Sequence, residues 1–316
     1  MTDAAGLGTV APMDATMPAA GKPALDPSLR EALAGVRALV LDADGVIVLK
    51  GRALPGAVEA LAALEAKGIP FRIATNFSGA HRATLAARFQ GDGLQVPWER
   101  IVTAASATAA HTAATFRGQP LFVITKPDGR REFDGQHLMP YEEADAPGAR
   151  AAAVVIGDGA EDLSFANLDR AFRLIRGGAA LLAMHRNPWW FTPRGPTLDS
   201  GAFVVALEFA TGAHAVLCGK PGPIMFRTAL AGLAADLGRR GPARDVAMVG
   251  DDPAQDIAGA RRFGMRSVLL LTGKTSAAEA ATLLGVARTG TAAVRRSRAV
   301  PDSVAPSLAE VVAALD

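Results

Sequence analysis

Short apolar runs recur along the chain, and segments of helical period part each from the next. "VRALVLD" (36–42), "FRIATN" (71–76), "LFVIT" (121–125), "AAAVVIG" (151–157), "ALLAMH" (180–185), "AHAVLCG" (213–219), "DVAMVG" (245–250) and "SVLLLT" (267–272) read as strands. Helical patterns fill 56–68, 81–89, 107–116, 165–178, 199–212, 222–238 and 254–264. A strand exposed on one face alternates apolar and polar residues, whereas strands apolar throughout need cover on both faces. The pattern predicts an α/β protein built on a doubly wound, parallel, Rossmann-like sheet. No internal repeat stands out. Residues 1–25, rich in Ala, Gly, Pro and Met without periodicity, read as a disordered tail. Asp26-Pro27 reads as the cap and first residue of a short helix running to about Ala34.

The bulk numbers exclude several classes. A chain of 316 residues, 50% of them hydrophobic, can bury a sizeable core in one large domain or two ordinary ones. A net charge of +2 supplies no global field for nucleic acid or an anionic membrane. The basic patch "RRSR" (295–298) reads as a solvated loop. No apolar run approaches the ~18–20 residues of a membrane span. The N-terminus lacks the basic region and apolar core of a secretory signal. Cys218 is the single cysteine, so no intramolecular disulfide can form, which fits a cytoplasmic location. Its setting, "AVLCG", reads as inert packing.

Ligands of such sheets bind beyond the carboxyl ends of the strands, and four of those ends carry reactive groups. "LVLDADGVIV" places Asp42 and Asp44 two residues apart. At about 4 Å two carboxylates repel by roughly 4 kcal/mol near a protein surface, although Asp and Gly also make ordinary turns. "ATNFSG" offers the Thr75 hydroxyl and main-chain N–H groups able to hold phosphate oxygens, or simply a helix cap. "CGKPGP" supplies Lys220, a fixed positive charge unless it is plain surface. "MVGDDPAQDIAGA" brings Asp251, Asp252 and Asp256 to a helix start, where capping explains one acid but not three. A divalent cation, a phosphate and a nucleophilic carboxylate account for all four ends together, and oxygen donors suit Mg²⁺.

"DADGV", "TN", "GKP" and "GDDPAQD", in that order, resemble the four motifs of the haloacid dehalogenase superfamily of aspartate-dependent phosphatases. The resemblance covers about residues 34–316, including "AVPDSVAPSLAEVVAAL" as a last strand and helix. Thr75 and Lys220 lie 145 residues apart, room for an inserted α/β cap like that of subclass IIA. The expected layout is a core of 26–116 and 214–316 with a substrate-specificity cap at 117–213. The resemblance implies that Asp42 attacks phosphorus, that Asp44 acts as general acid and base, and that Asp42, Asp251 and the Asp44 carbonyl hold Mg²⁺. Thr75, Asn76 and Lys220 would bind the phosphoryl oxygens, with Asp252 and Asp256 orienting Lys220 or metal-bound water. Dehalogenases lack an acid equivalent to Asp44, so its presence favours transfer to water.

Substrate choice is expected in the cap, where "MHRNPWWFTPRG" (184–195) reads as a Pro-flanked loop. Trp189 and Trp190 are candidates to cover a leaving group, or else pack within the cap or at a dimer contact. His185 and Arg186 are candidates to meet a substrate anion, although a histidine ending a strand is more often structural. Lys126 and "GRR" (129–131) read as a polar turn. The expected substrate is a small phosphorylated metabolite or pyrophosphate. The sequence leaves the oligomeric state open, and relatives point to a homodimer through the cap. Two other readings compete: a receiver-like phosphorylation switch and a binding protein without turnover. A receiver has its acidic pair near the N-terminus, its phosphorylated Asp on a later strand, and no place for the long insertion.

Overall fold

The structure, a computed structural model, describes residues 27–192, 195–238, 241–288 and 299–315. The expected tail and the "RRSR" patch lie outside the described residues. In chain order the strands are β1 (Ala38–Leu41), β2 (Val48–Leu49), β3 (Arg52–Ala53), β4 (Phe71–Thr75), β5 (Ile101–Thr103), β6 (Leu121–Ile124), β7 (Ala153–Ile156), β8 (Ala180–Ala183), β9 (Trp189–Thr192), β10 (Gly195–Leu198), β11 (Val216–Leu217), β12 (Val246–Gly250), β13 (Arg266–Leu270) and β14 (Ser303–Ala305). Six form a sheet in the order β14-β13-β12-β1-β4-β5, every neighbouring pair parallel.

That sheet is covered on both faces, as its apolar strands require. Leu39 and Leu41 of β1 join one hydrophobic cluster with Phe71, Ile73, Val249 and Val268. Ala38 and Val40, on the opposite face, join a second with Ala74, Val246 and Met248. Each large side chain buried in this way contributes roughly 1.5–3 kcal/mol relative to exposure. The reversal of strand order beside β1 makes a crevice at the carboxyl ends of β1, β4 and β12.

A second parallel sheet, β11-β8-β7-β6, is built mainly from the long insertion. One of its faces, with Phe122, Ile124, Val154 and Leu181, packs on the helices Phe165–Arg176 and Ser200–Thr211. The other, with Leu121, Val123, Val155 and Leu182, merges into the second core cluster. A continuous apolar seam thus joins the two sheets. β11 lies at 216–217, beyond the expected boundary at residue 213.

Several local details differ from the sequence expectation. Within the expected 184–195 loop lie β9 and the start of β10, which pair antiparallel with Trp190 opposite Thr197. The polar turn at Lys126 is a short helix, Pro127–Arg130, because Pro127 at its first position fixes a helical φ. The helix over 254–264 opens as a π-helical turn, Pro253–Ile257, before Ala258–Arg262. Cys218 is buried, and burial pushes its thiol up to about 11. Among the described residues no helix is long and apolar enough to cross a membrane.

Candidate active site

The register of the large sheet assembles the acids. Leu41 of β1 stands opposite Val249 of β12, so Asp42, just past the end of β1, and Asp251, just past the end of β12, emerge near one another. The Asp42 amide donates to the Val249 carbonyl at 2.9 Å and carries the ladder one residue past the strand. Lys220 arrives after β11, just before the helix Pro223–Asp236. Its ammonium lies 2.6 Å from Asp42 Oδ1 and 2.7 Å from Asp256 Oδ1. Lys220 is 3% exposed and Asp256 0%.

Such burial strips water from all three groups, which disfavours each charged form. For Lys220 the two carboxylates outweigh that loss and hold the ammonium above its usual range, hence charged. Burial pushes Asp256 up to about 7 despite Lys220, and Asp42 is raised for the same reason with the neighbouring acids adding. Burial also pushes Asp251 up to about 6, against the Lys274 amide that donates to its Oδ2 at 2.7 Å. The oxygens of Asp42, Asp251 and Asp256 fall within 4.8 Å of one another. One lysine does not neutralise three carboxylates.

Glycines make room for this crowding. Gly45 has φ +75°, and a Cβ there would come within 2.3 Å of Asp251 Oδ2. At Gly273 it would come within 1.9 Å of the same oxygen. The left-handed turn at Gly45 leads into the β2–β3 hairpin and leaves Asp44 at the cleft's mouth, open to solvent. Asp44 is nevertheless raised, since the surrounding walls desolvate its carboxyl more than Lys220 and Lys274 offset.

Thr75 ends β4, buried, its hydroxyl accepting the Phe77 amide at 3.2 Å. Asn76 clasps Lys220: its Oδ1 accepts the Lys220 amide at 2.7 Å and its Nδ2 donates to the Lys220 carbonyl at 3.0 Å. The same Nδ2 donates to Gln255 Oε1 at 2.6 Å. The side chain expected on a phosphate therefore holds the lysine's main chain. Asp252 caps the π-helical turn through the Ala254 and Gln255 amides and receives Lys274 Nζ at 2.9 Å. Burial would raise Asp252, but Lys274 and those amides bring it below the usual range.

Asp42, Asp44, Thr75, Asn76, Lys220, Gln255 and Lys274 line a cleft of about 210 Å³ that extends toward the smaller sheet. Trp190 lines it, whereas Trp189 and Arg186 are not among its walls. Arg186 forks onto Glu208 with both contacts at 2.7 Å, so it is committed away from the cleft. His185 lines the cleft, 3% exposed, with Nε2 at 3.2 Å from both Ser78 Oγ and Ser200 Oγ. Ser78 ties the β4 loop to the smaller sheet, accepting the Asp158 amide at 3.0 Å and the Thr125 hydroxyl at 3.0 Å. Lys274, Ser78, Asp158, Asn187, Asp199 and Gln255 are cleft residues that the sequence reading passed over. Lys274 had a usable signal, as a lysine just past the carboxyl end of a strand, like Lys220.

The raised acids set a pH dependence. With its folded pKa above the unfolded 3.8, each of Asp251 and Asp256 binds more protons folded than unfolded across the interval between. Stability then falls as pH rises. Metal-free protein is expected to melt several degrees lower at pH 8 than at pH 5, with added Mg²⁺ recovering more at pH 8. Scanning calorimetry in a chelator reads this, and a melting temperature that rises between those pH values contradicts it.

Comparison with known proteins gives consistent neighbours. A family model described as haloacid dehalogenase-like hydrolase matches residues 39–138, and a second, HAD-hydrolase-like, matches 217–311. The chain is similar to human phospholysine phosphohistidine inorganic pyrophosphate phosphatase, 32% identical over 248 residues that span 77% of this chain and 85% of that protein. The crystal structure of 4-nitrophenylphosphatase from Thermotoga maritima superposes with a TM-score of 0.73 at 27% identity, over 90% of this chain and 99% of that one. Glycerol phosphate phosphatase of Mycobacterium tuberculosis in complex with calcium superposes at 0.71 and 25% identity, over 89% and 76%.

Proposed function

The chain belongs to the haloacid dehalogenase-like hydrolase family, and from that premise we propose that it hydrolyses small phosphate monoesters at the Asp42–Lys220 cleft. It is an aspartate-dependent phosphatase, and the observation that carries this siting is the buried Lys220 ammonium between Asp42 and Asp256. Residues 26–116 and 214–316 act as the catalytic core and 117–213 as the cap, a division that the second sheet supports.

The residues fit a divalent cation. Three buried carboxylates offer hard oxygen donors, and burial and mutual repulsion raise their pKa values. Asp256 has its Oδ1 on Lys220 and its Oδ2 on the Asp252 amide, so it serves the lysine. As the family resemblance implies, Asp42, Asp251 and the Asp44 carbonyl would hold the metal. When bound, Mg²⁺ supplies the charge that offsets phosphate and carboxylates as they approach.

Asp42 makes its ion pair and its hydrogen bond through Oδ1, so Oδ2 is the attacking oxygen. The attack forms an Asp42–phosphorus bond and breaks the ester bond, while Asp44 gives its proton to the departing oxygen. Asp44 then takes a proton from water, which displaces Asp42 and releases inorganic phosphate. Lys220 and Thr75 hold the phosphoryl oxygens, preorganised at no cost during the reaction. Asn76 positions Lys220.

The protein acts in the cytoplasm, consistent with its lone buried Cys218. It forms a homodimer through the cap, where Val205 and Phe209 stand exposed on one helix, 50% and 92%. Light scattering is expected to give the mass of two chains, and of one for Phe209→Asp; a monomeric parent protein contradicts the dimer. For the activity, p-nitrophenyl phosphate turnover with Mg²⁺, abolished by chelator, is the expected result. No turnover with any divalent metal favours a binding protein instead.

A further inference from the structure

The cleft has two chemically unlike halves. Lys220 and Lys274 lie on the core side. Toward the smaller sheet the walls include Asp158, His185, Asn187, Trp190 and Asp199. Among the described residues, no lysine or arginine other than those two lysines lines the cleft. Cations near the far half are engaged: Lys126 Nζ sits 2.6 Å from Asp158 Oδ2, and Arg186 is on Glu208. Asp199 accepts the Ser200 amide at 2.7 Å, and its nearest basic group is His185 Nε2 at 3.8 Å. Burial holds that imidazole below its usual pKa, although Asp199 and Asp158 oppose the shift. His185 is buried, yet its Nδ1 has no hydrogen-bond partner. The half that receives the leaving group therefore combines the Asp199 carboxylate, which no lysine or arginine among the described residues pairs, an unpartnered buried nitrogen and an indole.

Resting on the phosphatase reading above, we propose that this half selects phosphate monoesters whose alcohol carries an ammonium or quaternary ammonium group. The Trp190 indole in the cleft wall attracts a cation, and Asp199 stabilises it further, with Asp158, paired to Lys126, as the second wall carboxylate. An alcohol bearing a carboxylate or a second phosphate meets those same carboxylates, so rejection is built in as well. The reaction needs nothing beyond water: the ester yields the cationic alcohol and inorganic phosphate.

The test is kcat/KM on four esters with Mg²⁺: phosphoethanolamine, phosphocholine, glycerol 3-phosphate and 3-phosphoglycerate, with p-nitrophenyl phosphate as the check on the phosphatase reading. The two cationic esters are expected to exceed the neutral glycerol ester by about tenfold or more, the scale of one desolvated cation contact, with the phosphoglycerate lowest. Asp199→Asn retains a good helix cap and is expected to cut the cationic-to-neutral ratio about fivefold. Lys126→Gln unmasks Asp158 and is expected to raise the ratio, an opposite sign that a loss of packing would not produce. Equal or reversed ranking by a protein that turns over p-nitrophenyl phosphate overturns the selectivity and leaves the phosphatase reading standing. No turnover of any ester overturns both.

Discussion

Asp42→Asn is expected to lower p-nitrophenyl phosphate turnover by roughly 10⁴-fold or more, the order seen when an essential nucleophile is removed. The amide keeps the shape of the carboxylate but is a poor nucleophile. The fold is expected to survive and, without metal, to melt no lower than the parent. Asp42 lies among Asp44, Asp251 and Asp256, and burial and those neighbours raise its pKa. Removing one charge from a crowded, desolvated set relieves repulsion, and Lys220 keeps Asp256 at 2.7 Å. Turnover within tenfold of the parent would remove Asp42 from the nucleophile's role. Loss of activity accompanied by unfolding would contradict the electrostatic account of the site.

Lys220→Met is expected to cost both stability and rate. Breaking a buried pair from one side leaves an uncompensated charge, worth roughly 3–5 kcal/mol. Here two carboxylates lose their cation, one of them wholly buried. The melting temperature should fall by of order 10 °C. Acid should recover part of the loss: Asp256, already pushed up to about 7 with Lys220 present, protonates more readily without it. A group raised in the folded state contributes stability below its pKa and loses it above, so recovery is expected at pH 6 relative to pH 8. The rate should fall by about 10²–10³-fold, the usual loss of a donor that stabilises transition-state charge. An unchanged melting temperature would mean that the ion pairs contribute nothing to the fold.

The parallel sheet was legible because its strands are apolar on both faces, and the acids at its carboxyl edge because that edge is where such sheets bind ligands. Asp42, Asp44, Thr75, Lys220 and Trp190 do line one cleft, with Asp251 and Asp256 beside them. Part of what escaped was set by contacts distant in sequence. The Asn76 clasp on Lys220 spans 144 residues, and no local pattern marks it. Arg186 was expected near substrate, but Glu208, one helix later, holds its guanidinium. The β2–β3 pair was missed because two-residue strands carry no alternation to read. The β9–β10 hairpin was missed because prolines at 188, 193 and 196 suggest a loop, yet edge pairing tolerates proline. Asp158 and Asp199 gave no sign of their shared cleft, since the topology of the smaller sheet alone brings them together.

The direct test is to find where phosphorus becomes bonded. Protein quenched in acid during turnover of p-nitrophenyl phosphate, then reduced with borohydride, converts an aspartyl-phosphate to homoserine that peptide mass spectrometry locates. Homoserine at position 42, and at none of 44, 251 or 256, is the predicted result. Active enzyme that yields homoserine at another aspartate, or phosphate carried on any other residue, would contradict the account at its centre.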